Sequence, residues 1–216
     1  QTSHFARGEL AAAREFANRS LLWTTFIVAG ATVAFAVVRE PVIGLLFTRE
    51  YLEVADAAVM FMCALIFRCI QTLLGFLGVA AGFNYMPVKV SLLSSRINIP
   101  LAFFLFKAYG YEGAVVSLII TQALIGLLYV LGLRAGGQKL DLAPVAILLM
   151  VFAVSIAWII VFDHVLFAAV LAPLFFIAAS LLFIPSLRDD LGIVLDNARS
   201  HPRHAMVLSG IHRADD

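Results

Sequence analysis

With 216 residues, of which 62% are hydrophobic and only 13% charged, the chain is too apolar for a water-soluble domain. Soluble domains contain roughly 45–50% apolar and about 25% charged residues. The formal net charge of +1 says little by itself, and no nucleic-acid partner is expected. We therefore predict an all-α integral membrane protein.

Six segments are apolar enough to cross a bilayer, which requires about 20 consecutive, mostly apolar residues. In chain order the predicted spans are Leu21–Val38, Ala57–Phe83, Val88–Phe106, Gly113–Leu133, Leu142–Phe162 and Val165–Ile184. The corresponding parts of the chain are a helical lead-in (1–20), a four-helix part (21–135), an extra transmembrane hairpin (136–186) and a polar tail (187–216).

The connection between the first two spans, residues 39–56, is too short and too broken to cross the membrane. It contains Pro41 within an apolar stretch, which favours an elbow lying at the membrane surface. The chain begins with Gln1 inside a polar helical stretch, so we expect a fragment or a processed piece of a longer protein.

Most of the 15 Lys and Arg residues fall on the side of the membrane that holds the N-terminus. Cytoplasmic loops carry an excess of these residues, so both termini are predicted to be cytoplasmic. An even number of spans agrees with this orientation.

Arg68 and Arg96 each lie inside a predicted span. A guanidinium near the membrane midplane costs about 2.5–3.5 kcal/mol on insertion scales and usually faces a bundle interior or a wet cavity. Two of them in adjacent spans indicate a pathway for an anionic molecule. Gln71, Thr72 and Gly75 share a helix face with Arg68, and this face is either a cavity wall or a close helix contact.

The third span has two distinct faces. One is lined by small and polar residues and is typical of a helix contact: Ser91, Ser94, Ser95, Asn98 and Ala102. Arg96 points elsewhere and aligns with Lys89, which can snorkel to the interface. The alternative to a cavity role for Arg96 is a structural ion pair, although none of the six spans contains Asp or Glu, so a carboxylate would have to come from elsewhere.

In the fourth span, Gly113, Ser117 and Thr121 recur at intervals of four, a pattern that lets helices approach closely. Gln122 is polar at mid-depth. The predicted cavity cations are Arg68 and Arg96, and the candidate cavity-lining residues are Gln71, Lys89 and Gln122.

No catalytic motif, metal site or cofactor is predicted, and the chain is not expected to be an enzyme. It has no Gly-rich phosphate loop and no HExxH. A membrane-embedded glycosyltransferase would need a catalytic carboxylate near a membrane face. Glu112 or Asp141 could be proposed, but neither has supporting context.

The order of several short segments resembles the C-terminal half of polysaccharide flippases. They belong to the superfamily that also holds multidrug and toxin extruders and the peptidoglycan lipid flippase. The resemblance covers about residues 4–135, and the segments that carry it are Arg39-Glu-Pro-Val-Ile-Gly-Leu-Leu-Phe47, Arg49-Glu-Tyr-Leu-Glu-Val-Ala55, Gly82-Phe-Asn-Tyr-Met-Pro87 and Tyr109-Gly-Tyr-Glu-Gly-Ala114.

This resemblance implies two six-helix bundles that rock between inward-open and outward-open states and move a lipid-linked oligosaccharide across the bacterial cytoplasmic (inner) membrane. Cations in the central cavity would meet the diphosphate, a role that Arg68 and Arg96 fit by position. The chain would be helices nine to fourteen. Its partners would be membrane lipids, an N-terminal helical bundle that is missing here, and polysaccharide polymerase or export proteins.

Two alternatives stay open. A multidrug or small-molecule extruder of the same superfamily would need acidic residues in its cavity, and the spans have none. A non-transporting scaffold of a polysaccharide assembly complex would tolerate neutralisation of both arginines.

Overall fold

The computed structural model describes residues 2–47, 49–137, 140–161 and 166–200, and every regular element within these ranges is helical. The six α-helices of these ranges are α1 Thr2–Leu46, α2 Ala55–Ala80, α3 Met86–Ala135, α4 Ala143–Val161, α5 Leu166–Phe183 and α6 Pro185–Ser200. A 3-10 helix, Arg49–Val54, connects α1 to α2. The predicted loop at Asp163-His164 and the predicted tail beyond residue 200 lie outside the described residues.

The 50 residues of α3 form a helical hairpin that reverses at Gly110. Gly110 has φ 63° and ψ −143°, a conformation that is open essentially to glycine alone. In a straight helix Asn98 and Thr121 would stand about 35 Å apart. The Thr121 hydroxyl nevertheless lies 3.2 Å from the Asn98 amide oxygen. A first arm (86–109) and a second arm (111–135) therefore lie antiparallel.

α2 lies between the hairpin and α1, and α1 also contacts α4 and α5. On that far side, Phe176 of α5 is fully buried and stacks on Phe26 of α1 with ring centroids 5.7 Å apart. The Phe176 ring also packs against Gly30, where a Cβ would lie 3.4 Å from it. The apolar core thus runs from α2 through α1 into the last two membrane helices.

Four helical stretches of the described chain are long and apolar enough to cross a membrane: Glu15–Leu46, Glu50–Ala80, Met86–Ala135 and Ala143–Val161. Leu171–Phe183 and Pro185–Val194 meet the same criterion together, although they are bent by 101° at the break between them. Because α3 reverses, each arm of Met86–Ala135 is long enough for one crossing, and each predicted span has a helical counterpart. The predicted fold class, an all-α integral membrane protein, is confirmed.

α1 is longer than the first predicted span at both ends. Its 45 residues extend about 68 Å, roughly twice the hydrocarbon thickness of a bilayer. The lead-in continues into the span without a break, and the helix runs on through Pro41 to Leu46, so the predicted elbow contains two helical turns before the 3-10 helix. Proline is tolerated in apolar helices when neighbouring groups satisfy the freed carbonyl.

Arg39 links the two ends of the elbow through hydrogen bonds. Its guanidinium donates to the Ala36 carbonyl at 2.9 Å and to the Asp56 carboxylate at 2.8 Å, which joins the end of α1 to the start of α2.

At the other membrane face, α6 turns back toward the lead-in of α1. The Asp190 carboxylate accepts a hydrogen bond from the Trp23 indole at 3.0 Å and pairs with Arg19 at 3.2 Å.

Candidate anion-binding groove

A groove of about 430 Å³ lies between α2 and the two arms of the hairpin, and we call it the Arg68 groove. Its volume falls within the range of roughly 300–1,000 Å³ that is common for small-ligand sites. Its lining residues are Arg68, Gln71, Thr72, Gly75, Phe76 and Val79 from α2, Pro87, Val90, Ser91 and Ser94 from the first arm, and Ile125 and Tyr129 from the second arm.

Arg68 is the cation of this groove. It lies near the middle of α2, about 18–20 Å from either end of the helix, and its side chain is exposed to the groove. Among the residues that the structure describes, no carboxylate pairs with Arg68. An unpaired guanidinium at this depth is a fixed positive charge with a planar set of donors that matches a phosphate group.

Gly75 and Tyr129 line the groove beside Arg68. The spacing of seven residues places Gly75 two turns from Arg68 on the same face of α2. A Cβ at Gly75 would lie 3.5 Å from the Tyr129 hydroxyl oxygen, so the Tyr129 ring packs closely against this part of α2. The nearly buried Tyr129 thereby brings a hydroxyl donor to the wall that holds Arg68.

Gln71 ties α2 to the second arm. Its side chain is 4% exposed, and its amide donates to the backbone carbonyl of Gln122. Gly126 lies beside this contact, where a Cβ would be in ordinary van der Waals contact with the Gln71 Cγ, at 3.9 Å. Gln122 therefore contributes a backbone carbonyl rather than its side chain, whose Oε1 is buried and has no hydrogen-bond partner among the described residues.

Part of the serine face of the first arm lines the Arg68 groove. Ser91 and Ser94 line the open wall opposite Arg68, and Asn98, further along this face, contacts the second arm through Thr121. The two serines thus place hydroxyl groups on the groove surface.

Arg96 is not a lining residue of the Arg68 groove. It follows Ser94 by two positions and therefore points about 200° away from it around the helix. Lys89 lies on the same outer side and lines a different groove, near the α2–α3 turn. The Arg68 groove thus brings Arg68 and Gln71 together, whereas Arg96 and Lys89 lie outside its described lining. A cavity shared by both arginines stays a prediction.

Tyr129 is a polar groove residue that the sequence interpretation missed. The signal was present, because Gly113, Ser117 and Thr121 begin a stripe that continues at intervals of four through Ile125 to Tyr129. Extending that stripe would have placed Tyr129 on the face that meets α2.

Comparisons with models of protein families, with curated proteins and with solved structures found no match.

Proposed function

We propose that this chain is part of a membrane transporter that flips a polyprenyl-diphosphate-linked oligosaccharide across the bacterial cytoplasmic membrane by alternating access. The observation that carries the proposal is Arg68, a guanidinium without a described carboxylate partner, opening into a groove at the middle of a membrane helix. The sequence resemblance to polysaccharide flippases supports the choice of substrate class.

The chemistry of the groove suits a diphosphate headgroup. Arg68 offers paired N–H donors to phosphate oxygens, and hydroxyls on both walls, from Tyr129, Ser91 and Ser94, offer hydrogen bonds to phosphate or sugar. The lipid tail stays in the bilayer while the headgroup crosses, and no covalent bond forms or breaks. Rocking against a second helical bundle would expose the site alternately to the two faces of the membrane.

The groove favours this substrate over a cationic drug. An extruder of cations needs an acidic group at its binding site, and the lining residues described for the Arg68 groove include no carboxylate.

The test is a translocation assay with the intact protein that contains this chain, reconstituted in liposomes with a fluorescent polyprenyl-diphosphate sugar. We compare Arg68→Gln with Arg96→Gln, the same substitution on the opposite side of the hairpin, and with the double variant. Hydrogen bonds to charged groups contribute about 1.5–3 kcal/mol, so Arg68→Gln is expected to slow translocation roughly 10-fold to 100-fold. Arg96→Gln is expected to retain most of the rate.

Two results would contradict the proposal. Unchanged translocation in a folded Arg68→Gln protein would remove the groove from the transport path. No translocation by the unsubstituted protein would exclude this substrate and favour the scaffold hypothesis.

A further inference from the structure

A second groove, of about 530 Å³, surrounds the α2–α3 turn, and we call it the Lys89 groove. Val90 is the one residue it shares with the Arg68 groove. Its walls are mainly apolar, and they include Phe83, Met86, Leu93 and Leu128. Lys89 is its only cation among the described lining residues.

The groove opens at the end of the helices, beside the α2–α3 turn. Lys89 lies three residues into α3, about 5 Å from the start of the helix. Tyr85, just before the helix, is 78% exposed and lines the same opening. Lysine and tyrosine favour the headgroup level of a bilayer, where the ammonium or hydroxyl stays polar while the rest of the side chain is in apolar surroundings.

Arg96 lies above this opening on the same side of the first arm. It follows Lys89 by two helical turns, and both side chains are exposed. Side chains of a helix lean toward its N-terminus, so Arg96 is directed back toward the membrane surface at which Lys89 lies. Within the described ranges, neither cation forms an ion pair with a carboxylate.

We propose that the Lys89 groove binds an anionic glycerophospholipid. Its phosphate lies between Lys89 and Arg96, and one acyl chain follows the apolar wall formed by Val90, Leu93 and Leu128. The lipid matches the groove in charge, because two cations without a described carboxylate partner lie beside it. It matches the groove in position, because the groove would run from the headgroup level into the hydrocarbon region. This site is separate from the Arg68 groove and does not depend on the proposed transport activity.

A carboxylate-bearing helix of another protein is a poorer fit to the same features. It would satisfy Arg96, but a helix about 10–12 Å across is too wide to enter a groove bounded by two neighbouring arms of one hairpin. It also leaves the interfacial position of Lys89 and Tyr85 without a role.

The experiment is native mass spectrometry of the intact purified protein in a neutral detergent. The probes are phosphatidylglycerol, phosphatidylcholine with the same acyl chains, and inorganic phosphate. We expect retention of phosphatidylglycerol at several times the level of phosphatidylcholine, and no retention of inorganic phosphate. The Lys89→Gln/Arg96→Gln double variant is expected to retain at least 5-fold less phosphatidylglycerol than the unsubstituted protein. Lys107→Gln removes an exposed cation outside the groove and is expected to retain the lipid.

A second variant tests the groove without altering charge. Leu93 is 42% exposed, so Leu93→Trp fills the groove with little disturbance of the core and is expected to reduce lipid retention as well. Equal retention of the two lipids, or undiminished phosphatidylglycerol on the double variant, would overturn the proposal. So would retention of inorganic phosphate alone, or a polypeptide adduct that disappears with Arg96→Gln.

Discussion

The two arms of the α3 hairpin are similar in length and both apolar, yet they meet different surroundings. Every fourth residue of the second arm is buried from its start to its end, and these residues are Gly113, Ser117, Thr121, Ile125, Tyr129 and Leu133. The first arm, all of which is described, has no buried residue, and it carries Lys89 and Arg96. One arm therefore fixes the hairpin to α2, while the other presents its side chains to the grooves and the membrane.

The contrast shows that apolar composition alone does not tell which membrane helix stabilises the fold and which one lines a binding site. Lipid is as apolar as the protein core, so burial depends on small residues that let backbones approach rather than on hydrophobicity. Substitutions in the second arm should thus affect stability, and substitutions in the first arm should affect binding.

The largest effect is expected for Gly113→Ala. A Cβ at this position would lie 2.1 Å from the backbone oxygen of Leu105, so the two arms would have to move apart. We expect the free energy of unfolding in detergent micelles to fall by at least about 3 kcal/mol. Gly126→Ala is the control on the same arm, because its Cβ would meet only the Gln71 side chain at 3.9 Å. Equal losses in the two variants would contradict close contact at the reversal.

The next largest effect comes from a direct comparison of buried and exposed leucines on the two arms. Leu133 of the second arm is 1% exposed, and Leu92 of the first arm is 61% exposed. Leu133→Ala should lower the free energy of unfolding by about 2–3 kcal/mol, because a cavity forms in packed protein. Leu92→Ala should change it by less than about 0.5 kcal/mol. Chemical unfolding of both variants checks the difference, and a larger loss for Leu92→Ala would reverse the roles assigned to the arms.

Gly110→Ala tests the backbone at the reversal. No atom lies within 4 Å of a Cβ at this position, so the cost comes from the positive φ alone. We expect a loss of about 1–3 kcal/mol in the free energy of unfolding. Gly192→Ala, also in open space but at a helical position, should be neutral or slightly stabilising. A neutral Gly110→Ala would mean that the turn adopts another conformation.

The smallest effect concerns the contact between Gln71 and Gln122. Hydrogen bonds between membrane helices contribute about 0.6 kcal/mol on average and up to roughly 1.7 kcal/mol, so Gln71→Leu should cost an amount within that range. Gln122→Leu should cost nothing or stabilise, because its backbone carbonyl remains and its side-chain oxygen has no described partner. Thermal unfolding of both variants makes the comparison, and the reverse order would contradict the described contact.

Hydropathy was sufficient to predict an all-helical chain of long apolar segments, because the length of an apolar run is a local property of the chain. The boundary between the third and fourth segments near Gly110 could also be predicted, since glycine often interrupts helices. The sequence alone does not predict that Arg96 lies outside the groove that contains Arg68. A helical wheel places Arg96 away from Ser94, but only the packing of the first arm over α2 decides which of those faces lines the groove with Arg68.

The extent of α1 was underestimated for a different reason. Pro41 and the charged pair Arg39-Glu40 indicate a helix end in a soluble protein. Here the helix continues, and the ion pair of Arg39 with Asp56 stabilises the charge at the elbow.

The reversal of α3 at Gly110 brings the first arm over α2 and thereby forms both grooves. The most direct test is a disulfide between Asn98→Cys and Thr121→Cys in membranes, with Cys63 and Cys69 replaced by serine. In the hairpin these two side chains are in contact, so mild oxidation should link them rapidly, and a reducible change in gel mobility should report the link. An Ile99→Cys/Leu127→Cys pair, both on exposed positions, serves as the control and should link far more slowly. No preferential link between positions 98 and 121 would mean that α3 does not reverse, and both grooves would be lost with it.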